Sequence, residues 1–470
     1  MRFTKLTALL RELSPTQKKR FGGYLHSPFF NTPPTAVALY EYLLSIHGTF
    51  PEKDLSPQAI AERKPLLKTE SIQNKAGTQL LGCYENFLAA AHFADHHTQP
   101  ALHKLAALKA QGYFEQFEEE LQAMRQMAEG QVTKTISYFE LQHQLAELQY
   151  NGFDNKLKRK QGQHIQPVLD TLDTYYAIKK IRYLCEALNR GQMQPSAHIT
   201  TTAAPLLAQL SGLQHHPYIY LFTHVFGMLG AETFDDSTAH YQQIKKHIEA
   251  ATDAATDASI REVSDYLQAW SIKWMNKGHQ QAAHEYLHWI RYKARHGWLL
   301  QHGLIEPAVY TNVLAVMVRT RQPADDIERF ITQYTPALPA AIQQSRSTYA
   351  QAILLYAQAQ YADAAMLFSQ AEAKDDPVFN SIIRRWFFIS TFESRPWGYG
   401  LDVILNTYAR YINRNEALPD SIKEVFRQFI SHSQKLLHSP LKHERQQLKT
   451  LIENQPYFPG KEWVIEKVAA

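Results

Sequence analysis

Five glycines, at positions 112, 152, 191, 230 and 278, each follow one amphipathic helical pattern and precede another. They stand 40, 39, 39 and 48 residues apart. A regular interval of that size means one supersecondary unit repeated along the chain. A helical hairpin cannot bury its apolar stripe alone and must stack on its neighbours. Glycine suits the turn, because a helix ends most easily on a left-handed residue and glycine adopts that conformation without steric cost. Two further turns, at Arg321-Gln322-Pro323 and at 357–360, continue the series without glycine. Between the turns, ALHKLAALKA, FEEELQAMRQM, ISYFELQHQLAELQ and IREVSDYLQAWSIKWM place apolar residues at three-and-four spacing. The single Asn-Gly, Asn151-Gly152, lies between two helical patterns rather than two alternating ones. These patterns predict an all-α chain of roughly eighteen to twenty helices.

A chain of 470 residues exceeds one compact core and implies two or three domains or a repeat array. Its 45% hydrophobic and 12% aromatic residues suffice for buried interfaces. A formal charge of +4 and a pI near 8.7 permit nucleic-acid binding without arguing for it. Cys83 and Cys185 are the only cysteines, which excludes a disulfide framework and a thiolate metal site. No apolar run approaches a membrane-spanning helix, and the first twenty residues lack the apolar stretch of a signal peptide. The expectation is a soluble, reduced, cytoplasmic protein without membrane contact.

The division expected is a helical domain over 1–98, a repeat array over 99–392 and a helical cap over 393–470. The segment TYAQAILLYAQAQYADAAMLFSQAEAKDDP, within 345–377, resembles a tetratricopeptide repeat. Ala352 stands where the small first-helix residue belongs, and Tyr361, Ala364, Phe368 and Ala371 fall at second-helix positions. The resemblance implies that Ala364 lets two helices approach while Phe368 fills the space beside Ala371. Pro377 closes the unit one residue late. The unit containing HEYLH fits the same frame more loosely, through Trp274, Gly278, Ala283, Leu287 and Ile290.

Nearer the start, LSPTQKKRFGGYLHSPFFN resembles the opening of uncharacterised helical proteins of the Bacteroidota. Their FxxYLxSPFFN stretch is matched by Phe21, Tyr24, Leu25, Ser27, Pro28, Phe29, Phe30 and Asn31. The resemblance implies lineage and carries no activity. Ser14-Pro15 reads as an N-cap followed by proline in the first helical turn. Phe29 and Phe30 are expected to pin the following helix to the domain core. The terminal stretch NQPYFPGKEWVIEKVAA is expected to dock the last helix as a cap.

The one catalytic pattern is HEYLH, formed by His284, Glu285 and His288. On a helix this spacing puts two imidazoles on one face to hold zinc, with the glutamate as general base. Glu306 lies 18 residues beyond His288, near where one zincin class places a carboxylate ligand. Against this, 22 histidines make a chance match unsurprising, and Leu287 stands where helical metallopeptidases carry glycine. The repeat frame also buries Ala283, Leu287 and Ile290, which turns the three polar residues towards solvent or a neighbouring unit. The pattern is therefore read as a polar helix face, with zinc hydrolysis as the alternative. HFADHH, with His92, His96 and His97, reads as a helix C-terminus favoured by the helix dipole. Phosphate-loop, GxSxG and Cys–His signatures are absent, so no cofactor is expected.

Arg2, Lys5, Arg11, Lys18, Lys19 and Arg20 form one basic cluster. Lys156, Lys158, Arg159 and Lys160, with Lys179, Lys180 and Arg182 beyond them, form another. Solvated helix faces explain both, and a nucleic-acid adaptor is a further alternative. The leading expectation is a non-enzymatic scaffold that binds a protein or peptide along the groove lined by first helices. The candidate groove residues are Gln268, Asn276, Asn312, Arg319, Tyr349 and Tyr356.

Overall fold

The computed structural model describes the chain apart from residues 1–2, 31, 47–49, 97, 132–133, 153–164, 192–198, 252–257, 440 and 470. Its described residues form 23 α-helices and no β-strand; Gln301 and Leu304 make one isolated bridge. No helix among them is long and apolar enough to cross a membrane. The chain separates into two compact units, Met1–Gly130 with Gln144–Ile165, and Gln131–His143 with Gln166–Ala470. The expected boundaries at 98 and 392 fall inside these units, because the helices that follow each point pack on the ones before.

In the first unit, α1 (Thr4–Glu12), α2 (Pro15–Leu25), α3 (Pro34–Ser45), α4 (Pro57–Arg63) and α5 (Glu70–Asp95) surround one core. Next come α6 (Thr98–Ala110) and α7 (Phe114–Glu129). The start of α2 is a full capping box: Ser14 Oγ accepts from Gln17 N at 3.2 Å, and Ser14 N donates to Gln17 Oε1 at 2.9 Å. Phe21 from this helix fills the core centre, with ring centroids 5.1 Å from Tyr40, 5.3 Å from Tyr84 and 5.2 Å from Phe87. The helix α8 (Ile136–Gly152) gives its residues up to His143 to the second unit.

The second unit continues as α9 (Gln166–Gly191), α10 (Ile199–Leu210), α11 (Pro217–Gly230), α12 (Phe234–Ala250), α13 (Ala258–Met275) and α14 (Gln280–Arg295). Then follow α15 (Pro307–Arg319), α16 (Ala324–Tyr334), α17 (Ala340–Ala357), α18 (Tyr361–Gln370) and α19 (Pro377–Ser394). The end is α20 (Leu401–Arg414), α21 (Asp420–Leu437), α22 (Lys442–Glu453) and α23 (Lys461–Ala469). Successive helices pair as hairpins, α9 with α10, α11 with α12, α13 with α14 and α17 with α18. First helices also touch first helices, α9 with α11, α11 with α13 and α15 with α17. Pairing within and between hairpins is what makes an α-solenoid.

The turns explain part of the glycine series and correct the rest. Gly112 and Gly278 are left-handed, with φ of 78° and 95°, as are Arg321 at 53° and Ala359 at 60°. All four close the preceding helix in the same way. Gly278 N donates to Met275 O and His279 N to Trp274 O; Ala359 N donates to Tyr356 O and Gln360 N to Leu355 O. This paired pattern satisfies the last helical carbonyls. Gly152, Gly191 and Gly230 are instead the final residues of their helices. After Gly230 the chain leaves through extended Ala231, and Thr233 caps the next helix.

The tetratricopeptide-like unit buries four of the five residues its pattern assigns, and Tyr361 is half-buried. Ala352, Ala364, Phe368 and Ala371 are wholly buried, whereas Ala362 is exposed. An interaction the pattern did not disclose ties this hairpin to the next. Arg346 is buried with Cζ 3.2 Å from the Phe379 ring centroid, and its Nη2 is 2.6 Å from Asp376 Oδ2. Asp376 also caps α19 by accepting from Phe379 N at 3.0 Å.

Replacing Ala364 by leucine should cost roughly 1–3 kcal/mol through overpacking, and Ala362 by leucine less than about 0.5 kcal/mol. Replacing Ala359 by glycine should stabilise by about 1 kcal/mol, because it removes the left-handed strain of an alanine. Thermal melts of the three variants check all three values; equal tolerance at 362 and 364 would contradict the packing.

Candidate functional site: helix ends that hold the C-terminal segment

The HEYLH residues sit on α14 but do not converge. His284 is exposed, and Glu306 is an exposed residue at the start of α15. Glu285 is engaged elsewhere: Lys245 Nζ lies 2.8 and 3.0 Å from its two carboxylate oxygens, and the Tyr241 hydroxyl donates to it. Trp289 Nε1 donates to the same Tyr241 oxygen at 2.8 Å. The glutamate thus anchors α14 to α12 inside a half-buried network. His288 Nε2 lies 3.5 Å from Glu249, and burial together with the Lys245 charge lowers its pKa. Among the described residues, no three His, Cys, Asp or Glu side chains are placed to hold a metal ion. The His92 and His96 rings lie 4.0 Å apart at 46° to each other, with His96 Nδ1 2.7 Å from the His92 carbonyl; His97 lies outside the described residues.

Of the groove candidates, Asn276 and Asn312 are exposed. Gln268 accepts from the buried Lys293 ammonium at 2.6 Å. Tyr349 is wholly buried, 5.4 Å from Phe379 and 5.9 Å from Phe368, so it fills the core and cannot line a groove. Tyr356 packs between Tyr361 and Trp386 at 5.2 and 5.0 Å. Both tyrosines lie on first helices, as expected, but their rings pack against α18 and α19.

Arg319 leads to the arrangement with most content. Its Nη1 donates to Met275 O at 3.3 Å, at the end of α13, and its Nη2 to Glu462 Oε1 at 2.5 Å on the final helix. Its Cζ lies 4.8 Å from the Tyr457 ring centroid. A Cβ on Gly278 would stand 3.5 Å from that same ring, so the tyrosine rests on the turn glycine. Further along, Glu393 at the end of α19 accepts from Trp463 Nε1 at 2.7 Å and pairs with Lys467 at 2.8 Å. The Trp463 ring meets Phe388, Phe392 and Phe429 at 5.9, 5.2 and 6.2 Å. The chain's own end, from Tyr457 to Lys467, is therefore seated across the C-terminal ends of α13, α15 and α19. Burial and the Glu462 charge push the Tyr457 hydroxyl up to about 12. Gly460 makes the entry turn, with φ of 94° and a notional Cβ 2.8 Å from Phe429.

The first unit carries a separate hollow of about 440 Å³, lined by Leu25, His26, Pro28, Thr32, Val37 and Leu66 among others. The expectation for its neighbours Phe29 and Phe30 is overturned. Phe29 is 85% exposed, and Phe30 is 41% exposed while stacking on Tyr24 at 4.1 Å. Pro28–Phe30 forms a 3-10 turn that faces its phenylalanines outward. Asn31 lies outside the described residues.

The basic clusters are partly consumed. Arg20 makes a two-point contact with Asp95 at 2.9 and 3.2 Å, and Arg11 lies over Phe50 at 5.5 Å. Lys179 bonds Tyr175, and Arg182 pairs with Glu262 at 2.7 Å. Arg2 and Lys156, Lys158, Arg159 and Lys160 lie outside the described residues.

Comparison with protein-family models, curated proteins and solved structures found no match.

If Glu285 is an anchor, Glu285→Ala should destabilise by roughly 1–3 kcal/mol, because it strands the Lys245 charge. His284→Ala should stay within about 0.5 kcal/mol. Similar losses for both, with stoichiometric zinc in the wild type, would contradict this. A pH dependence follows from His224 and His240, whose Nδ1 atoms lie 3.0 Å apart between α11 and α12. Burial, and for His224 also the neighbouring His240 and His247, lowers both pKa values. The folded chain then binds fewer protons than the unfolded one near pH 6, so stability is complete above about 6.5 and falls as pH drops. Melting temperatures from pH 7.5 to 5 should decrease, and His224→Gln should flatten the decrease.

Proposed function

We propose that the chain acts by binding rather than by catalysis, as a helical-repeat scaffold for a protein or peptide partner. The observation that supports this reading is the seat of the C-terminal segment. Exposed or partly exposed polar groups at helix ends grip a short helix through an arginine–carboxylate pair, a cation over an aromatic ring and an indole–carboxylate hydrogen bond. These contacts are those by which helical repeats take up extended or helical segments. Asn276 follows the last residue of α13, Asn312 lies on α15, and both are exposed. The partner chemistry implied is a helix carrying glutamates and an indole in the spacing of Glu462, Trp463 and Glu466, the last 3.6 Å from Arg321, after a tyrosine placed like Tyr457.

A tethered segment competes at an effective concentration near the millimolar range, so a free peptide meets a filled seat in the wild-type chain. The test uses full-length protein bearing Glu462→Lys and Glu466→Lys, with a fluorescent peptide of the 454–469 sequence. Fluorescence anisotropy should show micromolar binding to the variant and binding at least about tenfold weaker to the wild type. Adding Arg319→Glu should remove it. A variant that keeps its helical circular dichroism yet binds no peptide would contradict the proposal.

A further inference from the structure

The helix α9 is apolar on two opposite faces. Ala177, Ile178, Ile181, Leu184 and Cys185 are buried against the array. On the other side, Leu169, Leu172, Tyr176 and Tyr183 are 45%, 42%, 52% and 59% exposed. Their intervals of three, four and seven residues keep them on one stripe. A helix that is apolar all round belongs in an interior, and an exposed stripe of four large side chains marks an association surface.

The charges beside the stripe indicate what covers it. Asp173 and Lys180 stand two turns apart on the same edge, and neither makes an ion pair or hydrogen bond with a described residue. On the other edge Lys179 is already bonded to Tyr175, and further along the helix Arg190 pairs with Glu186 at 2.7 Å. The free pair is nearly symmetric about Tyr176, and so are Leu169 and Tyr183. We infer that α9 pairs antiparallel with the α9 of a second copy, about a twofold axis at Tyr176. That axis keeps each edge with its like, so Asp173 comes beside the partner's Lys180, and Lys180 beside the partner's Asp173. Leu169 meets the partner's Tyr183, and the two Tyr176 rings meet at the centre. A twofold interface requires such self-complementarity, and one helix supplies both halves of each contact. With the axis at Tyr176 the two copies overlap over residues 166–186, a seam of about 32 Å.

Sedimentation equilibrium of the full chain, from about 1 to 100 µM, should give a mass that rises from 54.1 kDa towards twice that value. Tyr176→Glu sets two like charges on the axis and should leave a monomer with unchanged circular dichroism. Asp173→Lys and Lys180→Asp should each be monomeric alone, because each creates like charges across the seam. Mixed in equal amounts, these two variants should form a heterodimer. A wild type that stays monomeric throughout would overturn the inference and assign the stripe to another occupant. Single charge variants that still dimerise, or a mixture that does not, would overturn the antiparallel register.

Discussion

A helical hairpin the size of 340–370 cannot bury both sides of its helices by itself, and this constraint shapes the second unit. Ala352 on α17 and Ala364 on α18 are wholly buried, but Tyr349 and Phe368 need Phe379 and Trp386 of the next hairpin to complete their surroundings. Arg346 makes the dependence polar as well as apolar, since its carboxylate partner Asp376 is the cap of the following helix. Stability in such an array is a sum of neighbour terms. A stacked series must therefore end somewhere, and its two ends are treated differently. At the C-terminal end the chain folds its last helix back onto helix termini and covers them. Near the N-terminal end, α9 keeps an apolar stripe in solvent.

Much of this organisation was legible because it rests on local chemistry. Left-handed turns after amphipathic helices disclosed the repeat, and the small residues Ala352, Ala364 and Ala371 disclosed one hairpin in detail. Ser14 and Pro15 marked a helix start that the capping box bears out. The limits are equally physical. Gly230 carries the same letter as Gly278, yet its helix is left through the extended Ala231, and only the following residues decide which exit is used.

The site residues were harder to read, because periodicity says which residues share a face but not what covers the face. Tyr349 and Tyr356 lie on first helices as expected and are turned into the packing. Glu285 shares a helix with His284 and His288, but its partner Lys245 is forty residues away on α12. Arg319 was the informative candidate, and its partner Glu462 is 143 positions distant. No local pattern reports a pairing of that range. The docking aromatics of the terminal segment, Tyr457 and Trp463, were the only sequence signal pointing towards it. Phe29 shows the converse error: an aromatic beside a proline looks like an anchor, although it stands in solvent.

The central claim is that the terminal helix is a seated ligand of the array rather than a free tail. Amide hydrogen exchange of the wild-type chain tests it most directly. If the claim holds, amides within 461–469 are protected to an extent comparable with the ends of α15 and α19, and lose protection together with them as denaturant is added. Exchange of 461–469 at the rate of an unstructured peptide, while α13 to α19 stay protected, would contradict it.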